Sequence, residues 1–236
     1  MRGDPSDDVV RSYYRMRQAL GYLGLFLPVT LILGGALSLG RVEPSISDYY
    51  HTLLRDIFVA TLAAIGVFLI CYRGHARAGA ERLSDDRVTT VAGIAALGVA
   101  FLPNATGGGL ATFSQDMLGP RVAAAGHYLS AIVFLSCLGW LSLVRFARTR
   151  DARRRRIYRA CGWLTAAMTA ATVAASWFKV MGPPGPQAVV NGGRLVLWFE
   201  AIAVWAFALS WLVKGRAGLP LAAALRRRRG GTPGAA

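Results

Sequence analysis

Charge is scarce in this chain. Of its 236 residues, 17% are Asp, Glu, Lys or Arg, against roughly 25% in soluble domains. Acids number 12, and Lys179 and Lys214 are the only lysines among 27 cations. With 54% hydrophobic residues, this shortage excludes an ordinary soluble globular protein and a disordered chain alike. Cysteine is limited to Cys71, Cys137 and Cys161, in or at the ends of apolar runs, with no CxxC pair. That excludes a disulfide framework, and the three read as small apolar packing residues. Histidine occurs at positions 51, 75 and 127 alone, and no HxxxH pair is present. No spacing matches a metal motif, so neither a metal nor another cofactor is expected.

What is present is long apolar sequence. A bilayer-spanning helix takes about 20 such residues. Six segments qualify: 19–39, 56–72, 89–102, 122–144, 157–180 and 195–213. The third is the shortest. The first is too long for a simple signal-peptide core and lacks an A-x-A site, so it reads as a retained helix, with Pro28 a candidate bend. The expected fold is an all-α integral membrane bundle of six transmembrane helices. Residues 1–18 form an N-terminal segment, 19–214 the membrane domain, and 215–236 a basic tail that reads as disordered. Gly- and Pro-rich connectors at 103–121 and 181–194 disfavour continued helix.

The cations fall on one side. The N-terminal segment carries four, the second connector four, the fourth connector eight and the C-terminal segment six; the other side holds Arg41, Arg55, Arg121, Lys179 and Arg194. The positive-inside rule then puts both termini in the cytoplasm of a multi-pass cytoplasmic-membrane protein. A net charge of +15 would suggest nucleic acid in a soluble protein. Here it suggests anionic lipid headgroups at an Arg-rich cytoplasmic face, and no nucleic acid. Oligomeric state is not legible.

This topology gathers an unusual polar set on the outer face. Ser47, Asp48 and His51 lie in "PSISDYYH", Arg55 and Asp56 open helix two, His127 opens helix four, and Lys179 ends helix five. Two readings of the first loop stand side by side. In one, Ser47 or Asp48 caps a short helix and Tyr49 and Tyr50 sit at headgroup level. In the other, an outward polar pocket presents Asp48, His51, Asp56 and His127 as ligands or acid–base groups. Asn104 begins an N-x-T acceptor pattern that also arises by chance. His75, in a polar connector on the opposite side, is assigned no role. Glu200 stands inside helix six, seven residues past Gly193, roughly 10 Å below the outer boundary at 1.5 Å per residue. A carboxylate facing lipid there is costly, roughly 2.5–3.5 kcal/mol on insertion scales. Glu200 should therefore face the interior and meet a cation or donor; Arg55 is the favoured partner and His127 the second. Thr165, Thr169, Thr172, Ser176 and Lys179 recur at helical spacing and mark one face of helix five. Such a stripe more often marks close packing than a substrate path.

Pro44, Ile46, Ser47 and Asp48 sit in "PSISD" after the first helix. Here the chain resembles the damage-regulated autophagy modulator family, whose six-helix members carry a comparable Pro-x-Ile-Ser-Asp. The segments 44–73 and 198–215 also look like a recurring pattern of uncharacterised prokaryotic multi-helix membrane proteins. The resemblance implies six helices and a link to lipid handling, without an established catalytic set. The CREST intramembrane hydrolases offer a rival likeness. They use several His with a late HxxxH, and His51, His75 and His127 cannot be assembled on one face to match it. The expected function is non-enzymatic binding of a lipid or small apolar ligand through an outward-facing, polar-rimmed cavity. The alternative is an intramembrane hydrolase or lipid-modifying enzyme using an Asp/His/Glu site.

Overall fold

A computed structural model describes residues 5–72, 84–105 and 112–215. Expectations placed on His75, on the second-connector cations Arg73, Arg77 and Arg82, and on the tail from 216 onward, lie outside the described residues.

Among the described residues the chain is all-helical. Six long helices correspond to the six apolar runs: α1 (Pro5–Gly34), α2 (Arg55–Cys71), α3 (Asp85–Phe101), then α5 (Pro120–Trp140), α6 (Ala152–Met181) and α8 (Leu195–Lys214). Two short helices, α4 (Phe113–Leu118) and α7 (Pro184–Gly192), lie in connectors expected to be non-helical. The correction has a local cause. Proline breaks helix interiors but suits the first turn, where Pro184 stands. Thr112 and Gln115 cap α4 reciprocally. A π-helical turn, Gly35–Leu39, extends α1 and ends at Gly40, whose φ of 64° is left-handed. Another, Leu141–Phe146, extends α5.

Among the described residues, four helices are long and apolar enough to cross a membrane: Tyr14–Leu39, Pro120–Phe146, Ala152–Met181 and Leu195–Lys214. By contrast, α2 and α3 have 17 residues each, and α3 spends its first turn on Asp85, Asp86 and Arg87.

The six long helices close a ring. α1 packs on α2, α2 on α3, α3 on α5, α5 on α6, α6 on α8, and α8 back on α1. Neighbours run antiparallel, as the interhelical bonds show. Trp211 Nε1 donates to the Arg17 carbonyl at 2.8 Å, and Trp205 Nε1 to that of Leu25 at 3.0 Å. Thr89 of α3 donates to the Tyr72 carbonyl at 3.0 Å. α2 crosses α3 glycine on glycine: a Cβ on Gly93 would lie 2.5 Å from the Gly66 carbonyl oxygen. The core between the helices is Leu, Phe, Ala and Trp, with Leu31, Phe58, Leu69, Leu197 and Trp211 almost wholly buried.

The ring has two unlike ends. One gathers the start of α1, the segment joining α5 to α6 and the end of α8, and there Asp85 pairs with Arg145 in a buried ion pair. Arg17 stands over the rings of Tyr72 and Trp211. The other end holds the residues between α1 and α2, and those between α6 and α8. It is poor in cations and carries the polar set.

Candidate functional site

The site is built on the first connector. Ser47–His51 forms a short 3-10 helix at that end of the ring. Ser45 initiates it: Asp48 N–H donates to Ser45 Oγ at 3.1 Å. The expected capping by Ser47 or Asp48 is thus corrected, because both side chains turn to tertiary partners instead. Tyr49 and Tyr50, expected at headgroup level, are buried, at 0% and 3% exposure. Tyr49 packs against Gly35, and this burial pushes its phenol above the usual tyrosine range.

α8 holds this connector by its main chain. Arg194 precedes α8 with a φ of 50°, in the left-handed region, and its Nε donates to the Val42 carbonyl at 2.9 Å. Leu197 N–H, one of the free donors of a helix start, donates to the Pro44 carbonyl at 3.0 Å. Glu200 Oε2 accepts from Ile46 N–H at 2.8 Å. The expected Arg55–Glu200 pair does not form. Arg55 instead donates to Tyr50 Oη at 3.0 Å and lies 4.4 Å over that ring.

The cation that enters the site is Lys179, from the end of α6. Its Nζ pairs with Asp48 Oδ2 and donates to Ser45 Oγ at 3.2 Å. Asp48 is 4% exposed, and its Oδ1 accepts from Asn104 Nδ2 at 2.7 Å. Asn104 is 2% exposed, so the acceptor pattern read there is a buried hydrogen-bonding residue and not a glycan site. His51 Nε2 meets Asn104 Oδ1 at 2.9 Å.

His127, from the first turns of α5, is 1% exposed. Its Nδ1 lies 2.7 Å from the Leu102 carbonyl and its Nε2 lies 2.9 Å from Ser47 Oγ. A carbonyl only accepts, so Nδ1 carries the hydrogen. In the neutral ring, Nε2 then accepts from the Ser47 hydroxyl.

A cavity of about 260 Å³ adjoins this cluster, between α5, α6 and α8. Its polar end is lined by Ser45, Ser47, Asn104, His127, Lys179 and Glu200. Its walls are apolar: Ala131, Ile132 and Leu135 from α5, Val173, Trp177 and Val180 from α6, and Val196 from α8. Thr169, Thr172 and Ser176 of α6 also face it. The polar stripe therefore divides. Thr165 bonds the Ala203 carbonyl of α8 and packs, while the residues beyond it line the cavity.

Of the eight residues singled out from sequence, Ser47, His127, Lys179 and Glu200 line the cavity. Asp48 backs it through Lys179 and Asn104, and His51 adjoins it through Asn104. Arg55 and Asp56, at the start of α2, do not line it. Ser45 was missed; its hydroxyl, three residues before Asp48, is a recognisable turn-capping position. Among the described residues no group of His, Cys, Asp and Glu could hold a metal. No family model, curated protein or solved structure matches the chain.

Proposed function

We propose that this protein is a six-span protein of the cytoplasmic membrane, both termini inside, that takes an amphiphile into the cavity between α5 and α6. The observation that carries the reading is the cavity's two-part lining, polar at one end and apolar along its walls. Wall residues are open to the bundle exterior: Val173, Trp177 and Val180 are 41%, 57% and 40% exposed. A lipid or small apolar molecule with one polar group entering from the bilayer would place its head at Ser47, Lys179 and Glu200. Its apolar part would lie along α5 and α6. The volume exceeds the roughly 150 Å³ that suffices for a benzene-sized guest. Thr172 adds a second polar contact: its buried hydroxyl has no hydrogen-bond partner among the described residues and faces the cavity.

The apolar exterior supports six spans over four. Ile57 and Val67 of α2 and Val91, Ile94 and Phe101 of α3 are exposed apolar side chains, like Phe26, Leu129 and Leu209 on the longer helices. Patches of this extent are rare on water-soluble surfaces. Seventeen residues is also the lower edge of spanning length. The arginine distribution supports the orientation, with the described fourth connector at the end opposite the cavity.

Native mass spectrometry of the full chain released from gentle detergent tests the binding. A bound amphiphile is expected on the wild type and lost from Ala131→Trp, which fills the cavity. A chain that emerges empty, or an adduct unchanged in Ala131→Trp, would overturn the reading.

A further inference from the structure

We propose that Ser47 and His127 are a nucleophile and its base, and that the cavity cleaves a carboxylic ester of the amphiphile it binds. The inference rests on the binding reading above and adds chemistry to it. Other serine hydroxyls bond main chain or one another: Ser38 donates to the Gly34 carbonyl, and Ser142 and Ser210 bond each other. Ser47 differs. Its Oγ lies 2.9 Å from an imidazole nitrogen, within reach for proton transfer. The base is itself oriented. The Leu102 carbonyl at 2.7 Å fixes the hydrogen on Nδ1, and the Tyr128 ring meets the imidazole edge-on at 5.7 Å. A nucleophile, a base and a third group that orients the base form the arrangement that activates a serine. Both Ser47 and His127 line the cavity, as does Lys179.

The reaction closes with water as the only other reactant. Ser47 Oγ attacks the ester carbonyl carbon while His127 Nε2 takes the hydroxyl proton. Negative charge then sits on the former carbonyl oxygen, on the side of the cavity that holds Lys179. Collapse breaks the carbon–oxygen bond to the alcohol, which leaves with the proton from His127, and the acyl group stays on Ser47. Water attacks the acyl carbon, gives its proton to His127 and releases the carboxylic acid. His127 returns that proton to Ser47.

Full-length protein in detergent should be treated with a long-chain alkyl fluorophosphonate, whose phosphorus captures an activated serine with loss of fluoride, and the adduct mapped by peptide mass spectrometry. The wild type should be modified at Ser47. Ser47→Ala should lose the adduct, and His127→Gln, which keeps a hydrogen-bonding side chain, should react at least about 100-fold more slowly. Hydrolysis of a long-chain nitrophenyl ester should follow the same order. The wild-type result decides the matter even if a variant fails to fold. Wild-type protein that retains amphiphile in native mass spectrometry but carries no Ser47 adduct overturns the hydrolytic inference and leaves binding intact. Protein that neither retains amphiphile nor reacts overturns both.

Discussion

Glu200, in the second turn of α8, and Lys179, in the last turn of α6, are each stabilised by a different partner. Glu200 accepts a main-chain N–H from Ile46, so its removal strands a buried donor. Glu200→Ala should lower stability by about 1–3 kcal/mol, and Glu200→Gln by less, since an amide oxygen still accepts. Thermal unfolding in detergent reads this, and an Ala variant as stable as the Gln variant would contradict it. Lys179 and Asp48 are an ion pair whose side chains are 11% and 4% exposed. Breaking such a pair from one side costs about 3–5 kcal/mol. Lys179→Met should therefore be severe, and Lys179→Met with Asp48→Asn should be milder than the sum of the single changes. Additive losses in that double-mutant cycle would mean the two side chains do not interact.

At the scale of elements, α2 and α3 meet through Gly66 and Gly93, where added side-chain carbon would fall within 2.9 Å of opposing main-chain oxygen. Gly93→Ala should separate the two helices and cost about 1–3 kcal/mol by overpacking; an unchanged melting temperature would contradict that crossing. α6 begins at Asp151, whose Oδ1 accepts from Arg153 N–H at 2.9 Å and Arg154 N–H at 3.2 Å. Those amides, Arg154 foremost, hold its carboxyl below the usual carboxylate range. The cap is at full strength above the unfolded-chain value, about 3.9, and is lost as pH falls through the lower folded value. Asp151→Asn keeps an acceptor and should abolish this acid-side loss, visible in the low-pH limb of helicity measured by circular dichroism. The helices were legible because apolar runs mark where a chain can cross lipid. Their ends were less so: α1 and α6 continue into charged sequence at Pro5 and Ala152, which an apolar window stops short of. The site was legible in part. Depth along a helix placed Ser47, His127, Lys179 and Glu200 at one end, but depth carries no information about which helices are neighbours. In the ring α8 adjoins α1 and α6, so Glu200 meets the Ile46 N–H of the first connector and not Arg55 on α2.

For the whole molecule, orientation and cavity are separate matters with separate tests. Ser45 is buried in the site, so the exposed Arg41 of the same connector is the position to use: cysteine placed there should react with a membrane-impermeant maleimide in intact cells, and cysteine at Asp151 should react only after lysis; the reverse pattern would invert the topology. The ring closes α1 onto α8 through Trp205 and Trp211. Its cavity nonetheless adjoins exposed apolar residues of α5 and α6, and entry from lipid between those two helices is the central claim. Photocrosslinking in intact membranes with a lipid bearing a diazirine in its acyl chain tests it most directly. The account predicts adducts concentrated on Ile132, Val173, Trp177 and the cavity wall at Leu135 and Val196. Adducts spread evenly over exposed belt positions such as Phe26, Val67 and Leu209, with none at Leu135 or Val196, would contradict it.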